Sequence, residues 1–450
     1  MSSAIFNMDL LLAVIFSFTA ILFSVAQGYF IAYPLLLSLA IFIIVLRRRG
    51  FPLKALIAMG FASSRKSFQV IIILLLIGIV TAVWMAAGTV PALVYYGTQF
   101  LSPQYFVLST FILTSFISTL LGTSFGTVST IGVALMIMAR GSDVNPNLVA
   151  GAIIGGAYFG DRCSPMSSSA NLVASITNTK LYKNIKNMVA TAWLPLLVSS
   201  LFYLILSISN PVKLTDNTLS AEIPKVFNIN LLVLLPALVI LSLSLLRVEV
   251  KFSLLLSVIA GLILGMFCQG YSLLQFIKFA VFGFSLEATN SLSSIFNGGG
   301  LFSMIKVSVI VIISTAFAGI IAETRVLEVV EDFLSRSSSR SGLFLNTIVI
   351  GLASAAFGCT QTIAILLTQQ LVKEKYEKEQ LDKYQLATDL ENTVVVLSPL
   401  IPWNIAGLVP ATILMTNAGF IPYAFYLYLL PILSLIQFKL SDSAKVRVNN

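Results

Sequence analysis

Two segments in the two halves of this chain are near copies of each other. Residues 125–135 read FGTVSTIGVAL, and residues 357–367 read FGCTQTIAILL. Each copy is a small polar cluster inside a long apolar stretch. Each is followed by a Ser-Pro pair and then an Asn, from Ser164 to Asn171 and from Ser398 to Asn404. A duplicated segment that Gly and Pro interrupt within hydrophobic spans indicates the binding site of a secondary transporter.

The composition places the chain in a lipid bilayer. Of its 450 residues, 58% are hydrophobic and 10% are charged, whereas soluble domains carry about 25% charged residues. The sequence lacks the alternating pattern of about ten residues that marks a membrane barrel. Its uniform apolar runs are long enough to cross a bilayer as helices, so we predict an all-α polytopic membrane protein with about 11–13 membrane segments.

The charged and reactive residues exclude several other classes of protein. The net charge of +9 reflects cytoplasmic loops rich in Lys and Arg rather than nucleic-acid binding. The chain has no histidine, and its three cysteines have no metal-binding or disulfide spacing. Residues 122–126 match the G-x-S-x-G pattern of hydrolases, but no histidine or preceding strand accompanies them. We therefore expect neither an enzyme nor a bound cofactor.

Apolar spans and charged loops divide the chain into four parts. Residues 1–68 form an N-terminal helical pair, interpreted as retained rather than cleaved, and a basic cytoplasmic loop. Residues 69–208 form a first repeat, 209–300 a linker with connecting helices, and 301–450 a second repeat with a C-terminal helix. The first span of the first repeat follows a basic loop, whereas its counterpart precedes an Arg-containing one. Opposite charge flanks predict an inverted repeat.

One acidic residue lies deep in the first repeat. A charged side chain such as Asp161 costs about 2.5–3.5 kcal/mol at the middle of a membrane helix on insertion scales. We predict that Asp161 binds Na⁺ or a proton; the alternative is a pair with Arg162 that caps a helix break. Pro165 frees backbone carbonyl groups one turn earlier, and oxygen-rich surroundings suit a hard cation. The polar side chains that follow are Ser164, Ser167, Ser168, Ser169 and Asn171.

The second repeat offers a counterpart. Glu391 is our second candidate ligand for sodium; the alternative places it near the membrane surface. Asp389 is interpreted as a solvated acid at the interface. Prolines within an apolar stretch again predict an unwound helix. The neutral candidates nearby are Asn392, Ser398 and Asn404.

The duplicated clusters supply only neutral dipoles. Their helix ends would face a carboxylate or an ion. Alternatively, their hydroxyl groups bond back to carbonyl groups or to neighbouring helices. The candidate side chains are Thr127, Ser129 and Thr130 in the first copy and Cys359, Thr360, Gln361 and Thr362 in the second.

At these residues the sequence resembles the NhaC-type sodium/proton antiporters of the wider ion-transporter superfamily. The similar stretches are residues 88–91, 122–127, 155–171 and 398–404, in the same order. The resemblance implies an inner-membrane transporter with two inverted repeats, in which re-entrant hairpins and broken helices meet at a central site. It also implies exchange of sodium for protons, while some relatives carry small carboxylates or amino acids.

The sequence departs from that family's pattern at three positions. The pattern runs Gly-Asp-Lys-x-Ser-Pro-Leu-Ser-Asp, but here Arg162 replaces the Lys and Ser168 stands in place of the second Asp. In the second half the family tends to have Glu-Asp, where this chain has Glu391 and Asn392. Two expected carboxylates are therefore neutral, which leaves less negative charge to balance a cation.

Three hypotheses follow for the function. The first is Na⁺/H⁺ antiport, in which sodium and a proton compete for Asp161 and Glu391. The second is sodium-coupled transport or exchange of a small carboxylate or amino acid, with sodium as the coupling ion. The third is a channel or a membrane scaffold. The expected partners are the bilayer, Na⁺ and H⁺, without nucleic acid, and the helices outside the site are compatible with a homodimer.

Overall fold

The computed structural model describes residues 2–210, 218–246, 248–287, 292–293, 295–324, 326 and 339–449. Within them the chain is almost entirely helical, which confirms the predicted all-α class. In the same residues, β1 (Phe284–Ser285) and β2 (Asn297–Gly298) pair in antiparallel fashion, with Phe284 opposite Gly298.

The helices follow one another with short connections. Those of the first half are α1 Ser2–Ala26, α2 Ala32–Arg48, α3 Leu53–Lys66, α4 Phe68–Ala86, α5 Thr89–Phe100, α6 Phe106–Leu121, α7 Ser124–Thr127, α8 Val133–Arg140, α9 Pro146–Cys163, α10 Ser168–Ile176 and α11 Leu181–Ser209. Those of the second half are α12 Thr218–Val226, α13 Leu235–Leu245, α14 Val250–Cys268, α15 Leu273–Phe282, α16 Leu301–Glu323, α17 Arg340–Gly358, α18 Gln361–Lys378, α19 Lys383–Asn392, α20 Val394–Leu397, α21 Ile405–Ile413 and α22 Phe425–Asn449.

Many of these helices suit a bilayer. Among the described residues, seven are long and apolar enough to cross a membrane, or nine if each of two bent pairs forms one span. The predicted total of about 11–13 segments is larger because it includes pieces that a break shortens below a full crossing. Large apolar side chains such as Phe116, Leu201 and Ile263 are exposed on the helix surfaces, as contact with lipid requires.

The predicted breaks occur where the sequence places them. Helix α6 ends at Gly122, whose φ of 64° favours glycine. A β-carbon at Gly122 would lie 2.3 Å from the Cβ of Met166, so the two breaks of the first repeat are in contact. Helix α17 ends at Cys359, which has a φ of 52°, and α19 ends at Thr393.

The two copies of the duplicated segment differ in local structure. In the first copy the chain runs from α7 through a π-helical turn, Val128–Gly132, into α8. In the second copy α17 ends, Cys359 turns the chain, and α18 begins at Gln361. The break therefore precedes the first copy but interrupts the second. The inverted repeat and the four-part division of the chain stay predictions.

Some segments that were predicted to be loops are helical. The basic loop after α2 contains α3, which packs against α16, so that a β-carbon on Gly60 would lie 3.5 Å from Ile320 Cδ1. The uncharged connection after α4 forms α5, and α18 continues to Lys378 through charged residues. Most of the charged loop after α16 lies outside the described residues, which leaves Arg325, Glu328, Glu331, Asp332 and Arg336 undescribed.

Close packing of α6 against α9 positions the candidate site. A β-carbon on Gly160 would lie 2.3 Å from the backbone nitrogen of Thr119, and one on Gly156 would lie 2.2 Å from Thr114 Oγ1. Only glycine permits so close an approach. The end of α9, which carries Asp161, is thereby held against α6 and close to the α6–α7 break.

Candidate functional site

Asp161 lies in a small cradle of hydroxyl groups. It occupies the last turn of α9 and is only 5% exposed. The Ser167 and Ser124 side chains and the Ser124 backbone lie beside its carboxylate and interact with it favourably. Ser124 is the first residue of α7, where free backbone N–H groups face an anion favourably. The two breaks of the first repeat therefore converge on one buried acid.

Arg162 does not cap the break by pairing with Asp161. Its guanidinium group instead donates to Asn392 Oδ1, to Thr191 Oγ1 at 2.9 Å, to Tyr426 OH at 3.3 Å and to the Met188 carbonyl at 3.2 Å. The expected alternative was wrong because successive residues on a helix point in different directions. Arg162 ties the end of α9 to α11, α19 and α22.

Glu391 lies in the interior of the protein. Its side chain is completely buried, and neither carboxylate oxygen has a hydrogen-bond partner among the described residues. It interacts electrostatically with Arg162 and with Asp161. Buried polar groups are nearly always hydrogen-bonded, so the carboxyl group of Glu391 is an exception among the described side chains.

Asp389 has a structural role that the sequence did not indicate. It is 1% exposed and forms a bidentate ion pair with Arg340, at 2.6 Å from Nη1 to Oδ2 and 2.8 Å from Nη2 to Oδ1. The Tyr376 hydroxyl donates to Oδ2 at 2.6 Å. The prediction of a solvated interfacial acid was therefore wrong, because residues from α17 and α18 enclose it.

The other polar candidates near the first break are divided between buried and exposed positions. Ser164 is buried and accepts a hydrogen bond from the Met166 N–H at 3.2 Å. Ser167 shares a hydrogen bond with Ser169 at 2.8 Å. Ser168 and Asn171 are exposed, so they do not face the enclosed acid.

At the second break, the neutral candidates mainly hold the backbone. Asn404 caps α21 and donates to the Ala355 carbonyl at 2.7 Å. Ser398 donates to the Val394 carbonyl at 2.6 Å. Asn392 accepts from Arg162 and so belongs to the same buried cluster as Glu391.

The hydroxyl groups of the first duplicated cluster bond back to their own helix. Thr127 donates to the Thr123 carbonyl at 2.8 Å, and Ser129 and Thr130 donate to the Gly126 carbonyl at 3.1 and 2.7 Å. This matches the alternative interpretation of the cluster. These side chains stabilise the π-helical turn beside the Asp161 cradle.

The second duplicated cluster borders a cavity. Thr360 caps α18, Gln361 donates to the Val395 carbonyl at 2.8 Å, and the Thr362 side chain is exposed. A cavity of about 1160 Å³ lies between α3, α4, α16, α18 and Ile405 of α21. Among the described residues, its lining includes Thr360 and Thr362 and two charged side chains, Glu323 and Glu374.

A short chain of contacts links this cavity to Asp161. Ile405 lines the cavity, and the carbonyl of the next residue, Ala406, accepts a hydrogen bond from the Tyr158 hydroxyl at 2.7 Å. Tyr158 also lies beside Ser124 and Asp161. Sequence analysis missed Tyr158 and Ser124, although the duplicated cluster begins directly after Ser124.

Comparison with known protein families identifies the family of the chain. The model of the Na⁺/H⁺ antiporter family matches residues 156–438, which include both buried acids of the cluster. The chain belongs to this family. It is an integral membrane protein with several spans, and its relatives are transporters rather than enzymes.

Three curated relatives cover most of the chain. The Na⁺/H⁺ antiporter NhaC of Bacillus subtilis is 31% identical over 90% of this chain and 91% of its own length. NhaC of Alkalihalophilus pseudofirmus is 31% identical over 81% of this chain and 80% of its own length. The malate-2H⁺/Na⁺-lactate antiporter of B. subtilis is 27% identical over 92% of this chain and 88% of its own length.

Proposed function

We propose that this protein is a secondary active antiporter of the inner membrane that exchanges Na⁺ for H⁺ at Asp161 and Glu391. The observation that carries this proposal is the bare, buried Glu391 carboxyl group beside a second buried acid. Two carboxylates in a low-dielectric site repel each other, and the approach of a proton or a monovalent cation relieves that repulsion. Because both ions relieve the same charge, they compete, and competition produces exchange.

The Asp161 cradle suits sodium as a transported ion. Ser124 and Ser167 bring hydroxyl oxygens to the Asp161 carboxylate, and oxygen atoms are the ligands of hard cations. Among the described residues, no cluster of three or more His, Cys, Asp or Glu side chains could hold a metal ion. A site made of two acids and neutral oxygen atoms binds a cation reversibly, as transport requires.

The cavity provides the access route from the cytoplasm. It is lined by residues of α3 and of the start of α4, and α3 follows the run of three arginines from Arg47 to Arg49. Basic segments of membrane proteins lie on the cytoplasmic side. This supports the assignment of the cavity to the cytoplasmic side, where its two acids, Glu323 and Glu374, would attract cations.

A sodium-coupled carrier of a small carboxylate is the second candidate, because the malate-2H⁺/Na⁺-lactate relative matches 92% of the chain. Such a substrate needs a free cationic group in the site. Within the described residues, Arg162 is the one buried basic side chain. Its Nη atoms already donate hydrogen bonds to Asn392, Thr191, Tyr426 and the Met188 carbonyl. This arrangement favours the exchange of inorganic cations.

Flux in proteoliposomes tests the proposal. We expect an outwardly directed proton gradient, with an acidic lumen, to drive uptake of radiolabelled Na⁺ without any organic solute. The double variant Asp161→Asn, Glu391→Gln should abolish this uptake. Sodium uptake that appears only when a carboxylate or an amino acid is added would establish the second candidate instead. Sodium current without proton movement would identify a channel.

A further inference from the structure

The buried charges of the described residues do not cancel. Four charged side chains are buried in the described part of the chain, namely Asp161, Arg162, Asp389 and Glu391. Asp389 forms a bidentate pair with the partly buried Arg340, so these two side chains are neutral together. Two carboxylates and one guanidinium group remain, which leaves a single net negative charge.

Glu391 interacts with both of the other remaining charges, those of Arg162 and Asp161. The other ionisable groups that face them are Tyr158, Cys163 and Tyr426. Phenols and thiols have ordinary pKa values of about 8.5 or higher, so these three groups carry no charge near neutral pH.

We infer that Arg162 balances one of the two carboxylates, so that the site binds one monovalent cation at a time and exchanges one Na⁺ for one H⁺ without moving net charge. This inference rests on the proposed function and gives it a stoichiometry. A second cation would leave the enclosed cluster with a net positive charge, which a low-dielectric interior disfavours strongly.

The hydrogen bonds of Arg162 keep its charge in place. Asn392, Thr191, Tyr426 and the Met188 carbonyl all accept from it and all are neutral. None of them therefore competes for the positive charge that balances Glu391. Among the residues that the structure describes, neither the buried Arg162 Nε–H group nor either Glu391 oxygen has a hydrogen-bond partner, so the two side chains are coupled by charge rather than held by a hydrogen bond.

The neutral partner at 392 is the decisive part of this arrangement. Asn392 accepts a hydrogen bond from Arg162 in the position where a carboxylate would cancel its charge. An acid there would return the cluster to two uncompensated negative charges, and two monovalent cations would then be needed. Asn392 and Arg162 are thus positioning residues that set how many cations the site takes.

The balance point of exchange tests this stoichiometry. Proteoliposomes are given opposing Na⁺ and pH gradients, with a membrane potential set by K⁺ and valinomycin, and the gradients at which net flux stops are recorded. For the wild type we expect about a tenfold Na⁺ gradient to balance one pH unit, at every potential. A balance point that moves with potential overturns the inference and leaves Na⁺/H⁺ exchange standing.

Variants of the cluster provide the matched comparison. Asn392→Asp and Arg162→Gln each add one net negative charge, so we expect each variant to bind two Na⁺ at saturation where the wild type binds one. Arg162→Lys keeps the charge, and Thr191→Val removes a hydrogen bond without changing charge, so neither should change this number, which equilibrium binding of radiolabelled Na⁺ to the purified protein measures. An active Asn392→Asp variant that still binds a single Na⁺ would contradict the inference. Absence of Na⁺/H⁺ exchange in the wild type would overturn the proposed function itself.

Discussion

The two buried acids of the cluster have opposite surroundings. Asp161 lies beside the polar groups of Ser124 and Ser167, at a place where two helix breaks meet. Glu391 is at least as deeply buried but accepts no hydrogen bond from the described residues, and its nearest influences are the charges of Arg162 and Asp161. Asp161 therefore has neutral oxygen atoms beside it, whereas, among the described residues, Glu391 interacts only with other charged groups.

This difference suggests a division of labour. A partly dehydrated Na⁺ needs several oxygen ligands, and in our proposal Asp161, Ser124 and Ser167 supply some of them. A proton needs one basic atom, and a carboxylate without donors provides that without competing hydrogen bonds. Sodium should therefore depend on the cradle, whereas both ions should depend on the charge at Glu391.

The largest effect is expected for Asp161→Asn. The amide keeps the size of the side chain but removes the negative charge, and an uncompensated cation in a buried site costs several kcal/mol. We expect Na⁺/H⁺ exchange to fall by at least about 100-fold, since each 1.4 kcal/mol is a factor of about ten. Radiolabelled Na⁺ uptake under a pH gradient measures it. The exposed Asp143→Asn serves as the control, and wild-type exchange by Asp161→Asn would remove this acid from the site.

A smaller effect on transport, and almost none on stability, is expected for Glu391→Gln. Among the described residues the carboxylate accepts no hydrogen bond that could be lost, so the thermal unfolding temperature in detergent should stay near that of the wild type. A bound cation would then be uncompensated, so exchange should fall by at least about tenfold. Asp389→Asn is the matched contrast, because it breaks a buried bidentate pair. That variant should lose about 3–5 kcal/mol of stability yet keep its Na⁺/H⁺ coupling. Equal destabilisation by both variants would show that Glu391 is structural.

Removal of a cradle hydroxyl should have a moderate effect that is specific to sodium. Ser124→Ala and Ser167→Ala each remove one hydroxyl group beside Asp161, and a hydrogen bond to a charged group contributes about 1.5–3 kcal/mol. We expect the KM for Na⁺ to rise about tenfold, with little change in the maximal rate at saturating Na⁺. Ser167 also caps α10, so Ser167→Thr, which keeps the hydroxyl group, separates the two roles. A change in rate without a change in KM would contradict the assignment.

Local sequence patterns predicted the breaks and the first acid, but not the contacts between distant segments. Glycine at 122 and the Ser-Pro pair after Asp161 were enough to predict where α6 and α9 end, because these residues act on the backbone nearby. The partnership of Arg162 with Asn392 joins residues that are 230 positions apart. The same limit applies to the enclosure of Asp389 by Arg340, which no local pattern indicates.

The smallest effects are expected at two residues that sequence analysis grouped with the cradle. Ser168 and Asn171 follow the same Ser-Pro pair as Ser167, but both are exposed on α10 and lie away from the enclosed acid. Asn171 donates to the Ser167 carbonyl at 2.7 Å rather than to a carboxylate. Ser168→Ala and Asn171→Ala should therefore change the KM for Na⁺ by less than about twofold, within the range of ordinary surface substitutions. Ser167→Ala, measured in the same kind of vesicles, is the comparison. A tenfold rise in the KM for Na⁺ of Ser168→Ala would show that the exposed face of α10 lines the ion route, and that Ser168 belongs to the binding site.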